Sequence, residues 1–223
     1  MRRILFEQRN ARKDPTPEQK TAEQMLIVIG RLMAAVALVV CLPLFVLIAL
    51  VVKCSSRGPV FHVSERLGQF GIPFRIYKFR TMYLGAETAL EQILEENPDR
   101  RLEWQSSAKL STDPRVTPFG RFLRHSSLDE LPQLYNILKG DMVWVGPRPI
   151  LQKETVRYGE SCDILHSVKP GLTGLWQVSG RSTLSYPQRV QLDLEYIARR
   201  TPWLDLKILL KTVLEIFRAR GAC

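Results

Sequence analysis

A long apolar segment constrains this chain more than any other feature of its sequence. Residues 32–52 are 21 consecutive residues without a charge, and about 20 helical residues cover the roughly 30 Å hydrocarbon core of a bilayer. We therefore expect a membrane-inserted helix within residues 25–56, opened by a capping box at residues 21–24. Pro43 lies near the midpoint of the segment. A proline in a helix interior removes a hydrogen bond, so it predicts a break or a kink.

Basic residues flank the apolar segment on both sides, with Arg31 before it and Lys53 and Arg57 after it. Because basic flanks prefer the cytoplasm, both ends are expected there. This favours a re-entrant helix that is broken at Pro43 and enters and leaves through one membrane face. A spanning helix with a tolerated proline kink is the alternative. Residues 1–24 are basic and aperiodic, so we expect a flexible leader that is either solvated or in contact with anionic lipid headgroups.

The overall composition limits the class of partner. The net charge of +10 and the isoelectric point near 9.7 predict an anionic partner, which could be nucleic acid, lipid headgroups or a phosphorylated substrate. The four cysteines show no CxxC spacing, so neither a zinc site nor a disulfide framework is expected. The length of 223 residues suits one main domain, and we assign residues 57–223 to it.

The densest polar signal lies in residues 126–149. Asp129, Gln133 and Asn136 recur at i, i+4 and i+7, with leucines on the other side. This spacing predicts one short helix with a polar stripe and an apolar stripe. Gly140 is expected to end the helix.

Two acidic neighbours, Asp129 and Glu130, begin this helix. One interpretation is structural: residues 127–130 fit a capping box, or Asp129 caps the helix, and acidic residues there suit the helix dipole. The other is chemical, because Arg124 precedes the pair and Arg148 follows it within a stiff Pro-Arg-Pro turn. Adjacent carboxylates surrounded by fixed cations suit a metal-bound phosphate ester.

The remaining segments predict a mixed helix and strand fold. Strands are expected at residues 60–63 and 74–79, where Lys78 and Arg80 alternate with aromatic residues and so give one cationic and one buried face. Helices are expected at residues 85–104 with a break at Asn97, 118–124 with Phe119, Phe122 and Leu123 against the core, 188–200 and 203–220. The last helix is basic with a broad apolar face, which suits either a membrane interface or core packing.

A glycine-rich loop lies after the Pro-Arg-Pro turn, with glycines at 171, 174 and 180 before Arg181. Such a loop lets backbone amides approach a phosphate, although glycines also serve as simple turn residues. It lacks the ending of a P-loop and the spacing of a dinucleotide fingerprint, so neither ATP hydrolysis nor NAD binding is indicated.

Four ordered motifs together resemble a known family. Residues 127–149, 75–82 and 169–181 and the membrane segment are similar to the bacterial sugar transferases, the monotopic polyprenyl-phosphate phosphoglycosyl transferases. The resemblance covers roughly residues 25–220, and it favours the branch that starts exopolysaccharide and O-antigen chains with an unmodified hexose. It implies a membrane-associated α+β fold with a re-entrant helix, a small β-hairpin, a catalytic helix and amphipathic interfacial helices.

The resemblance also implies a reaction. Members of this family transfer a sugar phosphate, here expected to be hexose-1-phosphate, from a UDP-sugar to polyprenyl (undecaprenyl) phosphate, releasing UMP through a covalent sugar-phospho-aspartate. Asp129 would be the nucleophile and Glu130 the Mg²⁺ ligand. Two further catalytic residues are implied, Arg124 and Asp193. Phosphate-binding roles are implied for Lys78, Arg80, Pro147, Arg148, Pro149 and Arg181.

The implied setting is the cytoplasmic (inner) membrane, with residues 57–223 as a catalytic domain facing the cytoplasm. Glucose and galactose are the leading donor sugars. Membrane lipids are further expected partners and nucleic acid is not, while a homodimer is left open. Two alternatives come from the residues themselves. One is a membrane-bound phosphatase or diphosphatase with water as acceptor, and the other is a non-catalytic basic protein that binds nucleic acid or anionic lipid.

Overall fold

Two helices joined by a sharp bend open the fold. The computed structural model describes residues 17–107 and 110–218. Of the flexible leader predicted for residues 1–24, residues 1–16 lie outside the described residues, and the prediction is wrong for residues 17–24 because they are helical. Helix α1 spans Pro17–Val40 and α2 spans Leu42–Ser55. The capping box expected at residues 21–24 is wrong, because the helix already begins at Pro17.

The bend lies where Pro43 predicts it. Pro43 is in the first turn of α2, where its missing amide hydrogen costs little, and the segments Gln24–Val40 and Leu42–Ser55 are bent by 62°. Among the described residues, no single helix is long and apolar enough to cross a bilayer, whereas this bent pair together has suitable length and composition.

A β-hairpin follows the bent pair. Strands β1 (Phe61–Leu67) and β2 (Pro73–Phe79) are antiparallel, which confirms both predicted strands and lengthens the first. His62 lies opposite Lys78, and Ser64 lies opposite Ile76. Residues directly opposite each other share a face of the sheet, so every even-numbered residue of both strands is on one face.

The rest of the chain is mainly helical. The helices predicted around the break at Asn97 and over residues 118–124, 188–200 and 203–220 are confirmed, with shifted ends. The elements are α3 (Ala86–Glu96), α4 (Pro98–Ser107), α5 (Pro118–Ser126), α6 (Gln133–Lys139), β3 (Val143–Val145), α7 (Thr155–Tyr158), α8 (Cys162–Leu165), β4 (Gly171–Thr173), α9 (Tyr186–Arg199) and α10 (Pro202–Arg218). Strands β3 and β4 are parallel, so the first part of the expected glycine loop is a strand.

Three buried clusters hold these elements together. The first joins α1, β2 and α6 through Ala34, Ile76, Leu134, Ile137 and Met142. The second joins α2, β2 and α5 through Ile48, Val52, Phe79 and Leu123. The third lies under α9 and α10 and includes Val145, Ile150, Leu194 and Ile208. The expectation that Phe122 packs in the core is wrong, since it is 56% exposed and lies flat against Phe119.

Candidate active site

The acidic pair lies on a turn rather than on the helix itself. Residues Leu128–Glu130 form a single 3₁₀ turn, and α6 begins only after Pro132. Ser127 adopts a left-handed conformation (φ 58°) and its side chain makes no capping hydrogen bond. The capping-box interpretation is therefore wrong, as is the expectation of one continuous helix. The short turn instead leaves both carboxylates available to other partners.

Asn136 fixes α6 against the hairpin. Its side chain is fully buried, donates to the carbonyl of Arg75 at 2.6 Å and accepts from the backbone amide of Tyr77 at 3.2 Å. These two bonds set the position of α6 along β2. Since the acidic turn directly precedes α6, Lys78 on β2 is brought beside it.

Cations surround the acidic pair. Lys78 Nζ lies 2.5 Å from Glu130 Oε1 and 4.0 Å from Asp129 Oδ2. Arg148 lies 4.0 Å from the same Glu130 oxygen. Arg124 is largely buried nearby and donates to Thr81 Oγ1 at 2.9 Å, and its charge acts on Asp129. The structure therefore brings together five of the predicted site residues.

The two neighbouring carboxyl groups have opposite pKa shifts. Burial raises the pKa of Asp129 to about 6, a rise that Lys78 opposes and the negative charge of Glu130 reinforces. Burial also disfavours ionisation of Glu130, but the charges of Lys78 and Arg148 and hydrogen bonds from Lys78 and Gln133 outweigh it and lower its pKa. Glu130 is thus a fixed anion, while Asp129 gains its charge near neutral pH. Divergent pKa values in adjacent acids are typical of groups with different chemical roles.

A small cleft opens beside the pair, and Glu130 lies in its wall. Its polar lining consists of Arg66, Lys78, Glu130, Gln133, Arg148 and Gln177, and Pro149 and Leu172 form part of its wall. Three of these, Arg66, Gln133 and Gln177, were not predicted as site residues. Extending the first predicted strand beyond residue 63 would have placed Arg66 on the same face as Lys78, because both positions are even-numbered.

Close approach of the backbone at Gly146 to residues 169–171 positions the Pro-Arg-Pro turn. A Cβ atom there would lie 2.7 Å from the backbone nitrogen of Gly171 and 2.7 Å from the oxygen of Lys169, so only glycine fits. Pro147 is buried and its carbonyl accepts from Gly171 at 2.9 Å. Pro147 therefore serves the turn through its backbone, while Arg148 projects toward the acidic pair.

Asp193 lies deeper than the cleft wall. It is fully buried on α9, accepts a hydrogen bond from Tyr158 at 2.9 Å, and its other oxygen has no partner among the described residues. Burial raises its pKa to about 7, against the effects of the Tyr158 hydrogen bond and the charge of Arg148. Asp193 thus acts electrostatically with Arg148, but it does not itself line the cleft.

Arg80 and Arg181 differ from their predicted placement. Arg80 is buried and donates to the carbonyls of Val52, Ser56 and Pro59, so it caps the end of α2 and points away from the cleft. Arg181 has a left-handed backbone (φ 52°) and donates to the carbonyl of Gln177 at 3.3 Å. Arg181 therefore contacts the backbone of Gln177, a residue that lines the cleft. The structure gives neither arginine a place in the wall of the cleft.

The donor set fits an Mg²⁺ ion that arrives with a phosphate ligand. The described residues contain no group of three or more His, Cys, Asp or Glu side chains arranged to hold a metal ion. The cleft instead offers the carboxylate of Glu130. Mg²⁺ is commonly held by one or two carboxylates together with substrate phosphates and water, so Glu130 is sufficient for such an ion.

Comparison with known proteins decides the family. The model of the family described as "Bacterial sugar transferase" matches residues 22–219. The chain belongs to the bacterial sugar transferase family. The resemblance found in the sequence is confirmed, and the match of this sugar transferase spans the bent helices, the acidic turn and the cleft.

Several relatives of this sugar transferase have been named for their activity. This chain is 47% identical to the undecaprenyl-phosphate galactose phosphotransferase of Salmonella typhimurium over 74% of its own length and 35% of that protein. It is 44% identical to the exopolysaccharide production protein ExoY of Rhizobium meliloti over 86% of this chain and 84% of that protein. The UDP-glucose:undecaprenyl-phosphate glucose-1-phosphate transferase of Xanthomonas campestris is 38% identical over 86% of this chain and 38% of that protein. The chain therefore spans about a third of two of these relatives and most of ExoY, and the names support the exopolysaccharide branch.

Proposed function

We propose that this sugar transferase moves hexose-1-phosphate from a UDP-hexose to polyprenyl (undecaprenyl) phosphate and releases UMP, as a first membrane step of exopolysaccharide or O-antigen synthesis. The observation that carries the proposal is the acidic pair itself. Glu130 is held ionised by Lys78 and Arg148 and lines a cleft with surplus positive charge, and its neighbour Asp129 has a pKa of about 6. Two anionic phosphates must be brought together in this reaction, and fixed cations reduce their repulsion.

The chemistry assigned to Asp129 has two steps. Its carboxylate oxygen attacks the sugar-bearing phosphorus of the donor, forming a P–O bond while the bond to the UMP oxygen breaks and UMP leaves. An oxygen of the lipid phosphate then attacks the same phosphorus and frees the carboxylate. Lys78 and Arg148 stabilise the charge that develops on the phosphoryl oxygens.

Glu130 is the residue that would hold Mg²⁺. When bound, the ion supplies charge neutralisation on the diphosphate. Glu130 suits a ligand because its pKa is lowered, so it stays anionic throughout the neutral range.

Membrane attachment through the bent helix pair is part of the proposal. Apolar side chains around the bend are more than half exposed, among them Val36, Val39, Val40, Leu42 and Leu47. Both helices of the bent pair contact the rest of the protein. Trp144 donates to the carbonyl of Gly30 in α1 at 2.8 Å, and Arg80 donates to carbonyls at the end of α2. A re-entrant insertion from the cytoplasmic face satisfies both observations.

Helix α10 extends the proposed membrane surface. Its exposed apolar residues recur at helical spacing on one side and are Trp203, Leu206, Leu210, Val213 and Leu214. The Lys207 ammonium lies 5.3 Å from the centre of the Trp203 ring. A basic helix with an exposed apolar stripe and a tryptophan suits the headgroup region of a bilayer.

The activity is tested by incubating detergent-purified protein with Mg²⁺ and UDP-glucose or UDP-galactose, with and without undecaprenyl phosphate, and measuring UMP. We expect lipid-dependent UMP release from one of the two donors, absent in Asp129→Asn. Release of free sugar phosphate without lipid would instead identify a phosphatase or diphosphatase. Absence of release, with salt-sensitive anion binding unchanged in Asp129→Asn, would identify a binding protein.

Topology is tested by labelling single cysteines with an impermeant thiol reagent in intact cells, in a variant without the native cysteines. One cysteine is placed within the first ten residues, and the other is Glu95→Cys on the exposed side of α3. The re-entrant arrangement predicts that both are protected until the membrane is permeabilised. Labelling of the N-terminal cysteine alone in intact cells would show a spanning helix.

A further inference from the structure

Arg66 is the cation of the cleft that the proposed chemistry does not use. It lies near the end of β1, opposite Phe74, with a side chain that is only 16% exposed. Its Nε is buried and has no hydrogen-bond partner among the described residues. Its one ion-pair contact in the described structure is to Glu154, at 3.5 Å.

The charges along the cleft leave Arg66 without full compensation. Lys78 is neutralised by Glu130 at 2.5 Å. Glu154, the partner of Arg66, is shared, because its Oε2 also accepts a hydrogen bond from the backbone amide of Leu151 at 2.7 Å. Arg148 faces Arg66 closely enough that, after burial, it is the main cause of the lowered pKa of Arg66. Two guanidinium groups that converge on one cleft repel each other unless an anion lies between them.

The charge count in the cleft fits a diphosphate. Three cationic side chains and one carboxylate line it, so the two negative charges of a diphosphate balance the surplus. Planar guanidinium groups bind phosphate oxygens through paired hydrogen bonds, and Arg is the residue best suited to this geometry. The buried Nε of Arg66 has no hydrogen-bond partner among the described residues, so such a bond would satisfy it.

The order of the charges places Arg66 away from the nucleophile. Lys78 lies within 4.0 Å of both Asp129 and Glu130, whereas Arg148 approaches only Glu130, at 4.0 Å. Arg66 pairs instead with Glu154 at 3.5 Å. Among the described ion pairs, Lys78 is therefore the cleft cation nearest Asp129, and Arg66 approaches neither acid of the pair.

We infer that Arg66 and Arg148 form a phosphate-binding pair for a nucleoside diphosphate, with Arg66 on the phosphate farther from Asp129, the one that departs with the nucleoside. Glu154 positions Arg66 for this role. The inference rests on the proposed transferase function for the identity of the diphosphate. It adds a residue that holds the leaving UMP, separate from those that hold the transferred phosphoryl group.

The test is UMP binding by calorimetry, with the full-length protein in detergent and Mg²⁺ present. UMP carries only the phosphate assigned to Arg66. Loss of a charged hydrogen bond corresponds to about 10- to 100-fold weaker binding, and this is the loss expected for Arg66→Gln. Arg66→Lys should lose less, because it keeps the charge without the fork. Glu154→Gln should weaken binding by a few-fold, since it releases the anchor but still accepts from Leu151.

Arg75→Gln is the matched control. Arg75 is an exposed arginine on β2 of the same hairpin, so this variant removes the same charge without touching the cleft, and its UMP affinity should equal that of the wild type. In kinetics, Arg66→Gln should raise the KM for the UDP-hexose and the inhibition constant of UMP together, and leave the KM for the lipid phosphate unchanged.

The outcomes separate this inference from the transferase function. Wild-type affinity for UMP in both Arg66→Gln and Arg66→Lys would overturn the role of Arg66 even in an active transferase. UMP binding that depends on Arg66, in a protein that transfers nothing to lipid, would support the phosphate site and refute the transferase. A wild type that does not bind UMP would overturn the inference outright.

Discussion

Replacing Lys78 by Met tests how the acidic pair is tuned. Lys78 is the strongest of the charges that lower the pKa of Asp129, and it lies 4.0 Å from that carboxylate. Removing it should raise the pKa of Asp129 above about 6, so that less of the proposed nucleophile is ionised at neutral pH. The same substitution frees Glu130 from its 2.5 Å ion pair.

The size of the effect follows from the distance. Two unit charges 4 Å apart interact by about 4 kcal/mol at an effective dielectric constant of about 20, which is an upper limit of about three pKa units. Opposite charges at this range shift carboxyl pKa values by about 1–3 units. The ionised fraction of Asp129 at pH 7 would then fall from about 0.9 to between about 0.5 and 0.01. A shift near one unit, and so an ionised fraction near 0.5, is expected, because Glu130 also becomes easier to protonate and then repels Asp129 less.

The assay is the single-turnover rate of UMP release in the first half-reaction, up to one UMP per protein, with saturating donor and no lipid, between about pH 5.5 and 9.5. Without lipid, the titration of the acceptor phosphate does not enter. The wild-type rate should rise with pH through an inflection near 6, and the Lys78→Met inflection should lie about one unit higher. Lys78→Arg should keep the wild-type inflection. Lys139→Met is the control, because this exposed lysine pairs with Asp141 at 2.9 Å outside the cleft.

A slower Lys78→Met enzyme whose inflection stays near pH 6 would refute this reasoning. It would mean that Lys78 contacts phosphate without tuning Asp129, since loss of a phosphate contact slows the reaction equally at every pH. A matching shift in Lys139→Met would refute it too, because the effect would then come from net charge.

Three further predictions follow from the same contacts. EDTA should abolish UMP release, and added Mg²⁺ should restore it. Glu130→Gln should raise the Mg²⁺ concentration that gives half of the maximal rate by roughly 10-fold or more. An unchanged Mg²⁺ titration would rule out Glu130 as the ligand. Burial raises the pKa of Asp193 from 3.8 to about 7, so the folded state binds this proton more tightly than the unfolded state and stability falls as pH rises between these values. Asp193→Asn should therefore raise the free energy of unfolding at pH 8 by up to about 4 kcal/mol and flatten its dependence on pH, and equal pH slopes for both proteins in denaturant titrations would contradict this. Asn136→Ala should cost about 2–4 kcal/mol in the same titrations, because the carbonyl of Arg75 and the amide of Tyr77 each lose a buried partner; a loss below about 0.5 kcal/mol would show that these bonds do not hold α6 in place.

The sequence predicts the larger elements because their signals are local. Pro43 inside an uncharged segment predicts the bend, and alternating residues around Lys78 predict the second strand of the hairpin. The acidic pair is recognisable from its neighbours Arg124 and Arg148, which lie close in the chain as well as in the fold. In these cases the relevant contacts are either within one element or between adjacent elements.

The finer features of the site depend on contacts that periodicity does not report. The i, i+4, i+7 pattern from Asp129 to Asn136 continues through Pro132 and so hides the change from a 3₁₀ turn to α6. Alternation from Lys78 assigns Arg80 to the cleft, but the strand ends at Phe79 and Arg80 turns toward the end of α2. Arg66 is missed for the converse reason, since the first strand continues past its predicted end.

The most direct test of the central claim is the intact mass of the protein after incubation with Mg²⁺ and the UDP-hexose donor, without lipid. The account predicts an added mass of one hexose phosphate on the wild type, its removal when undecaprenyl phosphate is supplied, and no adduct on Asp129→Asn. An adduct that persists in Asp129→Asn would contradict the assignment of the nucleophile. Efficient lipid-dependent transfer with no adduct on the wild type under any donor concentration would contradict the two-step mechanism.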